Sequence, residues 1–87
     1  MRVDLYLKRV CLLKSRTLAR EACDRGKVLL NGSRAKGSST VAVGDRIVLD
    51  LGRLLLEVEV ASVPEGSVSK NRARECYTVL KEEHPAI

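Results

Sequence analysis

Six cations and two hydroxyls are the groups in this chain best suited to do chemistry: Arg2, Lys8, Lys14, Arg16, Arg20 and Lys36, with Ser38 and Ser39. The chemistry they offer is anion recognition. Arginine makes planar, two-pronged contacts to phosphate or to a guanine edge, and lysine acts as a point charge. Serine hydroxyls reach phosphate or ribose, and Thr40 adds a third hydroxyl beside them. Arg16 carries the sharpest signal. It falls in the first turn of an expected helix, where the helix dipole disfavours a cation. A cation kept there against local preference hints at a partner. Arg25, Lys27 and Arg34 extend the basic run, and for these plain solubility is as good an account as phosphate contact.

Charge distribution points the same way. The chain has 87 residues and a formal charge of +5. Residues 1–36 hold ten Lys or Arg and three acids, a local +7, while residues 37–87 hold six bases and eight acids, a local −2. A basic half joined to a mildly acidic half is polarised, and phosphate is the natural ligand of the basic face. Apolar residues make up 45% of the chain, with two Tyr and neither Trp nor Phe. That is enough to fold one small domain. It argues against RNA readers that stack bases on an aromatic sheet, and against single-strand binders built on aromatic platforms.

Other chemistries lack their residues. No glycine-rich phosphate loop and no Gly-x-Ser-x-Gly elbow is present. His84, beside Pro85, makes a poor general base. Asp4, Asp24, Asp45 and Asp50 have no evident partner for paired-carboxylate work. The expectation is a protein that is not an enzyme and needs no cofactor. Cys11, Cys23 and Cys76 form no C-x-x-C pair, so no metal site is expected. With no apolar signal segment at the start, they read as reduced thiols of a cytoplasmic protein, Cys11 and Cys23 serving as small buried apolar residues. No apolar run is long enough to span a membrane.

The elements that must position the cations follow from periodicity. Val3 to Leu13 reads as a short amphipathic helix with Asp4 in its first turn, where the dipole favours an acid. Ser15 is a good N-cap for a second helix from about Arg16 to Arg25, and Gly26 suits its left-handed C-cap. Val28-Leu29-Leu30 reads as a strand, Asn31-Gly32 as a tight hairpin turn, and Arg34-Ala35 as the return. Lys36 to Thr40 is a loop and Gly44-Asp45 a second turn that serves chain reversal. Arg46–Leu51 and Leu54–Val63 are expected strands, the latter with Leu56, Val58 and Val60 on its buried face. The tail holds a candidate helical turn at Asn71–Cys76 and a candidate strand at Tyr77–Leu80.

These residues resemble the alpha-L RNA-binding domain first seen in small-subunit ribosomal protein four. The matching pieces are Arg2-Val3-Asp4-x-x-Leu7, Ser15-Arg16-x-x-Ala19 and Gly26-x-Val28-x-x-Asn31-Gly32. Lys36, Ser38 or Ser39, Val41 and Gly44-Asp45 complete the pattern. Each piece alone is weak; the ordered set is specific, and it covers about residues 2 to 50. The resemblance implies an α+β, alpha-L fold, with two N-terminal helices packed on a small, mostly antiparallel sheet. Residues 1–63 would form the RNA-binding domain with its sheet, and residues 64–87 a C-terminal extension packed on it or trailing from it.

The whole chain, with its Tyr77-Thr78-Val79-Leu80-Lys81-Glu82-Glu83 tail, is similar to the RqcP family of bacterial ribosome-quality-control factors, relatives of the fifteen-kilodalton heat-shock protein. That resemblance implies binding to a large ribosomal subunit obstructed by peptidyl-tRNA, with contacts to ribosomal RNA and tRNA. It implies that tRNA is held in the P site and that an RqcH-type partner is supported in adding alanine tails. It makes Arg2 and Arg16 the leading RNA contacts, with Lys14, Arg20 and Lys36 in support. The alternatives are ribosome assembly or RNA chaperoning with the same domain, or an accessory subunit binding an acidic protein. A monomer is the expected working unit, and charge reversal at Arg16 is expected to abolish ribosome association with folding intact.

Overall fold

The computed structural model describes residues 1–84, so Pro85 and the last part of the expected extension lie outside the described residues. Three helices, α1 (Val3–Arg9), α2 (Arg16–Asp24) and α3 (Lys70–Ala73), combine with five strands. The strands are β1 (Val28–Leu30), β2 (Ser33–Arg34), β3 (Arg46–Asp50), β4 (Leu55–Val60) and β5 (Tyr77–Glu83). They form one sheet in the order β2-β1-β3-β4-β5, antiparallel at every pairing. The expected α+β fold is therefore the observed one.

Local chemistry accounts for the N-terminal elements. Ser15 Oγ accepts from the Leu18 amide at 3.1 Å, capping α2. Gly26, at φ +73°, ends it, and the Lys27 amide closes back on the Ala22 carbonyl at 2.9 Å. Asn31 and Gly32 both take positive φ, as a two-residue hairpin turn requires. Asn31 does more than turn the chain. Its side-chain amide donates to Asp45 Oδ1 at 3.1 Å, and its Oδ1 accepts from the Arg46 amide at 2.9 Å. Asp45 Oδ2 also accepts from the Ala42 amide at 2.8 Å. The two turns at one end of the sheet are thus locked to each other.

Two expectations are corrected. The first helix stops at Arg9, not Leu13. Cys11 adopts φ +61°, and the amides of Leu12 and Leu13 both return to the Leu7 carbonyl. This wrap satisfies the last free carbonyls of α1. A non-glycine residue at positive φ is uncommon, so the apolar spacing carried the expected helix too far. The same wrap leaves the Cys11 side chain exposed rather than buried.

One continuous core ties the molecule together. Val3, Tyr6, Leu7 and Val10 of the first helical region, Ala19 and Cys23 of α2, and Val28, Ile47, Leu49, Val58 and Val60 of the sheet are buried. Leu56, Val58 and Val60 face inward as their alternation implied, while Glu57 and Glu59 are half-buried. The tail joins this core. Tyr6 donates its hydroxyl to the Cys76 carbonyl at 2.8 Å, and burial pushes its phenol well above the ordinary range, with Cys76 and Tyr77 adding to the effect. The Ala61 and Ser62 amides donate to the same carbonyl, and β5 then pairs with β4 from Val60–Tyr77 to Leu55–Glu83.

Candidate nucleic-acid interface

The site is built around Asp4. Its side chain is fully buried, although it belongs to the first turn of a helix. The sequence suggested an acid serving the helix dipole; the fold makes it a hub. Asp4 Oδ2 accepts from Arg2 Nη2 at 3.1 Å, and Oδ1 lies 3.5 Å from Arg16 Nε. Oδ1 also accepts from the Leu5 amide at 2.7 Å. A buried carboxylate must be paired and hydrogen-bonded to be tolerated, and all three contacts serve that need.

Both partners remain available to a ligand. The Arg2 side chain is 47% exposed and that of Arg16 43% exposed. Each guanidinium has five N–H donors, so one contact to Asp4 leaves most of the fork free. This arrangement supplies an internal reason for Arg16 at a helix start, where the dipole alone disfavours it. The hint of a partner drawn from that position thus has an internal companion, the Asp4 carboxylate.

The loop from Lys36 to Thr40 is fastened beside this hub. The Val3 amide donates to the Ser39 carbonyl at 2.7 Å and the Asp4 amide to the Gly37 carbonyl at 3.3 Å. Arg2 and Thr40 form a bridge, and the Val41 amide donates to the Met1 carbonyl at 2.8 Å. The loop has its own clasp: Ser39 Oγ accepts from the Lys36 amide at 3.0 Å, and the Ser39 amide donates to the Lys36 carbonyl at 2.9 Å. Gly37 is buried where the loop crosses the hub. A methyl group there would lie 3.2 Å from Asp4 Oδ2 and 3.4 Å from Arg20 Cγ.

Arg2, Arg16 and Arg20 therefore meet around Asp4 and Gly37, and the loop that carries Lys36, Ser38 and Ser39 is fastened beside them, with Lys36 also lining a depression with Asp24 and Arg34. Ser39 spends its acceptor on the loop, while Ser38 and Lys36 are exposed. Lys8 and Lys14 do not share the hub. They line an open cleft of about 410 Å³ with Arg9, Cys11, Leu13, Ser67, Val68 and Lys70. Lys8 follows Asp4 by four positions, so it connects the two regions along one side of α1.

Sequence reasoning missed Asp4 as an organiser, Gly37 as a close-approach position, and Lys70. Only the Arg2-x-Asp4 spacing offered a signal for the first. The Cys23 thiol near the hub is pushed up by burial, then by the charges of Asp4 and Asp24, and stays a neutral apolar filler. Among the described residues, no group of three or more His, Cys, Asp or Glu is placed to hold a metal ion. No described helix is long and apolar enough to cross a membrane.

This geometry has known counterparts. The S4 domain family matches residues 1–47, which contain the hub and its loop. The chain is 43% identical to the RQC P-site tRNA stabilizing factor of Halalkalibacterium halodurans, over 95% of this chain and 93% of that protein. It is 42% identical to the protein of that name from Bacillus subtilis, over 95% of each. The trimeric structure of Vibrio cholerae Heat Shock Protein 15 is similar at a TM-score of 0.86 and 30% identity, covering 91% of this chain and 80% of that one.

Proposed function

Because the chain belongs to the S4 domain family and, over nearly its whole length, to the family of RQC P-site tRNA stabilizing factors, we propose that it is a noncatalytic RNA-binding factor of ribosome-associated quality control. It binds the large ribosomal subunit obstructed by peptidyl-tRNA and holds that tRNA in the P site. It thereby supports an RqcH-type partner in adding alanine residues to the stalled chain. Its place of action is the cytoplasm, and its working unit is a monomer. Residues 1–63 form the RNA-binding domain, and residues 64–87 extend it.

The observation that carries this reading is the Asp4 hub. One buried carboxylate holds Arg2 and Arg16 side by side, next to a clasped loop bearing Lys36 and Ser38. Guanidinium groups fixed in this way lose less freedom when they close on phosphate, which favours recognition of a shaped, paired RNA. Selective binding of the tRNA-occupied subunit raises the occupancy of that state by mass action, and no chemical step is needed.

Sedimentation of tagged protein from lysate through a sucrose gradient tests this, with tRNA probed in the bound fractions. The expected result is recovery with free large subunits carrying peptidyl-tRNA, followed by loss of alanine tailing when the protein is removed. Recovery with tRNA-free precursor subunits overturns it in favour of assembly. Absence from ribosomal fractions overturns it in favour of free RNA or a protein partner.

A further inference from the structure

The cleft beside α1 is a feature that the S4 domain does not possess by itself. One wall comes from Lys8, Arg9, Cys11, Leu13 and Lys14, and the other from Ser67, Val68 and Lys70. The second wall lies outside the residues matched by the S4 family. The cleft exists because the tail folds back on the first helix. Arg9 Nη1 donates to the Pro64 carbonyl at 3.1 Å, and Tyr6 holds Cys76, so the segment between is fastened at both ends.

Its charge is one-sided. Four of its eight lining residues are cations and none is acidic. Among the described residues, Lys8, Lys14 and Lys70 form no ion pair, whereas Lys27 and Lys81 do. All three lysines are exposed. Arg74, exposed and with Lys70 lining the adjoining depression at Val10 and Cys11, continues the basic band. The tail as a whole is not basic, so its lysine at this spot is not an average of its surroundings.

We infer that this cleft is a second RNA-backbone site, made jointly by the S4 domain and the C-terminal extension, in which Lys8, Lys14 and Lys70 contact phosphates. The inference rests on the RNA-binding function proposed above and adds a contact that the S4 domain alone cannot make. Lysines suit the role: as point charges they neutralise phosphates without demanding one orientation. The Asp4 hub fixes its arginines and reads shape. The cleft leaves its lysines exposed and unpaired among the described residues, and contributes affinity that is sensitive to salt. The hub sits at the first turn of α1 and Lys8 of the cleft at its last, on a helix roughly 10 Å long.

The test is the salt dependence of binding to purified large subunits carrying peptidyl-tRNA, using the full chain. Each phosphate contact adds about 0.7 to 0.9 to the slope of log affinity against log salt. Lys70→Ala is expected to lower the slope by about one such contact and Lys14→Ala/Lys70→Ala by about two, with unchanged melting temperatures. Lys70→Arg should keep the wild-type slope. Wild-type slopes in both alanine variants, with Arg16→Ala still weakening binding, overturn the cleft but not the hub. Wild-type binding in Arg16→Ala as well overturns the RNA-binding reading itself. An affinity loss seen only when a protein partner is added overturns the RNA assignment in favour of an acidic protein.

Discussion

Two groups of cations flank α2, and their surroundings differ in kind. At its start, Arg2 and Arg16 share a buried carboxylate and keep much of their surface in solvent. At its end, Arg34 donates to the Asp24 carbonyl and lies against Gly26, where a methyl group would come within 3.3 Å of its guanidinium. Lys27, nearby, pairs with Asp50 at 3.7 Å. The second group differs in its partners rather than in its burial: Arg34, though exposed, satisfies a helix carbonyl, and Lys27, as exposed as Arg16, has an equally exposed surface partner. The first group is oriented by the fold and then left open. A basic run in a sequence therefore says little until the partner of each cation is known. The cations aimed outward from a shared internal anchor are the ones we propose as ligand contacts.

This contrast can be broken at its anchor. Asp4→Ala removes the hub and is expected to have the largest effect. Stability should fall by about 1–3 kcal/mol, the cost of disrupting a buried hydrogen-bonded group, moderated because both arginines can turn to water. Affinity for the obstructed subunit should fall at least about tenfold, which is about 1.4 kcal/mol. Thermal melting and subunit binding measure the two losses separately. A normal affinity in a folded Asp4→Ala protein would show that the hub does not organise the interface.

Arg16→Ala separates binding from folding more cleanly than charge reversal does. A glutamate at position 16 would face Asp4, so the reversal would cost stability as well as binding. The alanine variant should lose about 1–3 kcal/mol of binding free energy. Its stability should fall by about 1 kcal/mol, less than the binding loss, because Arg16 is itself half exposed and the buried Asp4 carboxylate keeps Arg2 and the Leu5 amide. Equal losses in melting and binding would make Arg16 a structural residue like Arg34.

Gly37→Ala sharpens the comparison without touching a charge. The added methyl would press on Asp4 Oδ2 and Arg20 Cγ. Overpacking of this kind costs about 1–3 kcal/mol, and the loop should move before the helix does. A several-fold affinity loss in a titration, with both arginines intact, is the expected result. The smallest effect belongs to the other end of α2. Arg34→Ala should lower stability by about 0.5–1.5 kcal/mol through the lost carbonyl contact and leave subunit affinity unchanged. A large loss of binding there would erase the distinction between the two groups.

Much of the N-terminal architecture was legible because its signals are local. Ser15, Gly26 and Asn31-Gly32 act on their own backbone neighbours, and each took the expected conformation. The buried face of β4 followed from strict alternation. The first helix was overextended because nothing in Val10-Cys11-Leu12 announces a left-handed residue; the wrap is set by Leu12 and Leu13, both half-buried against the core. The tail was legible in outline: the candidate helical turn at Asn71–Cys76 and the candidate strand at Tyr77–Leu80 fall on the helical turns of Lys70–Cys76 and on β5, which runs on to Glu83. Its strand has no alternation of its own and is mostly exposed, and its place comes from pairing with β4.

The sequence by itself determined the helix caps, the hairpin turns, the polarised charge and the class of ligand that charge favours, because each depends on residue type and short spacing. Tertiary structure alone decided that Asp4 is buried between Arg2 and Arg16, that Gly37 must be small, that Arg34 is structural, and that Lys70 meets Lys8 and Lys14. Those facts join residues far apart in the chain. Burial and partnership are properties of the packed fold, and no local pattern encodes them.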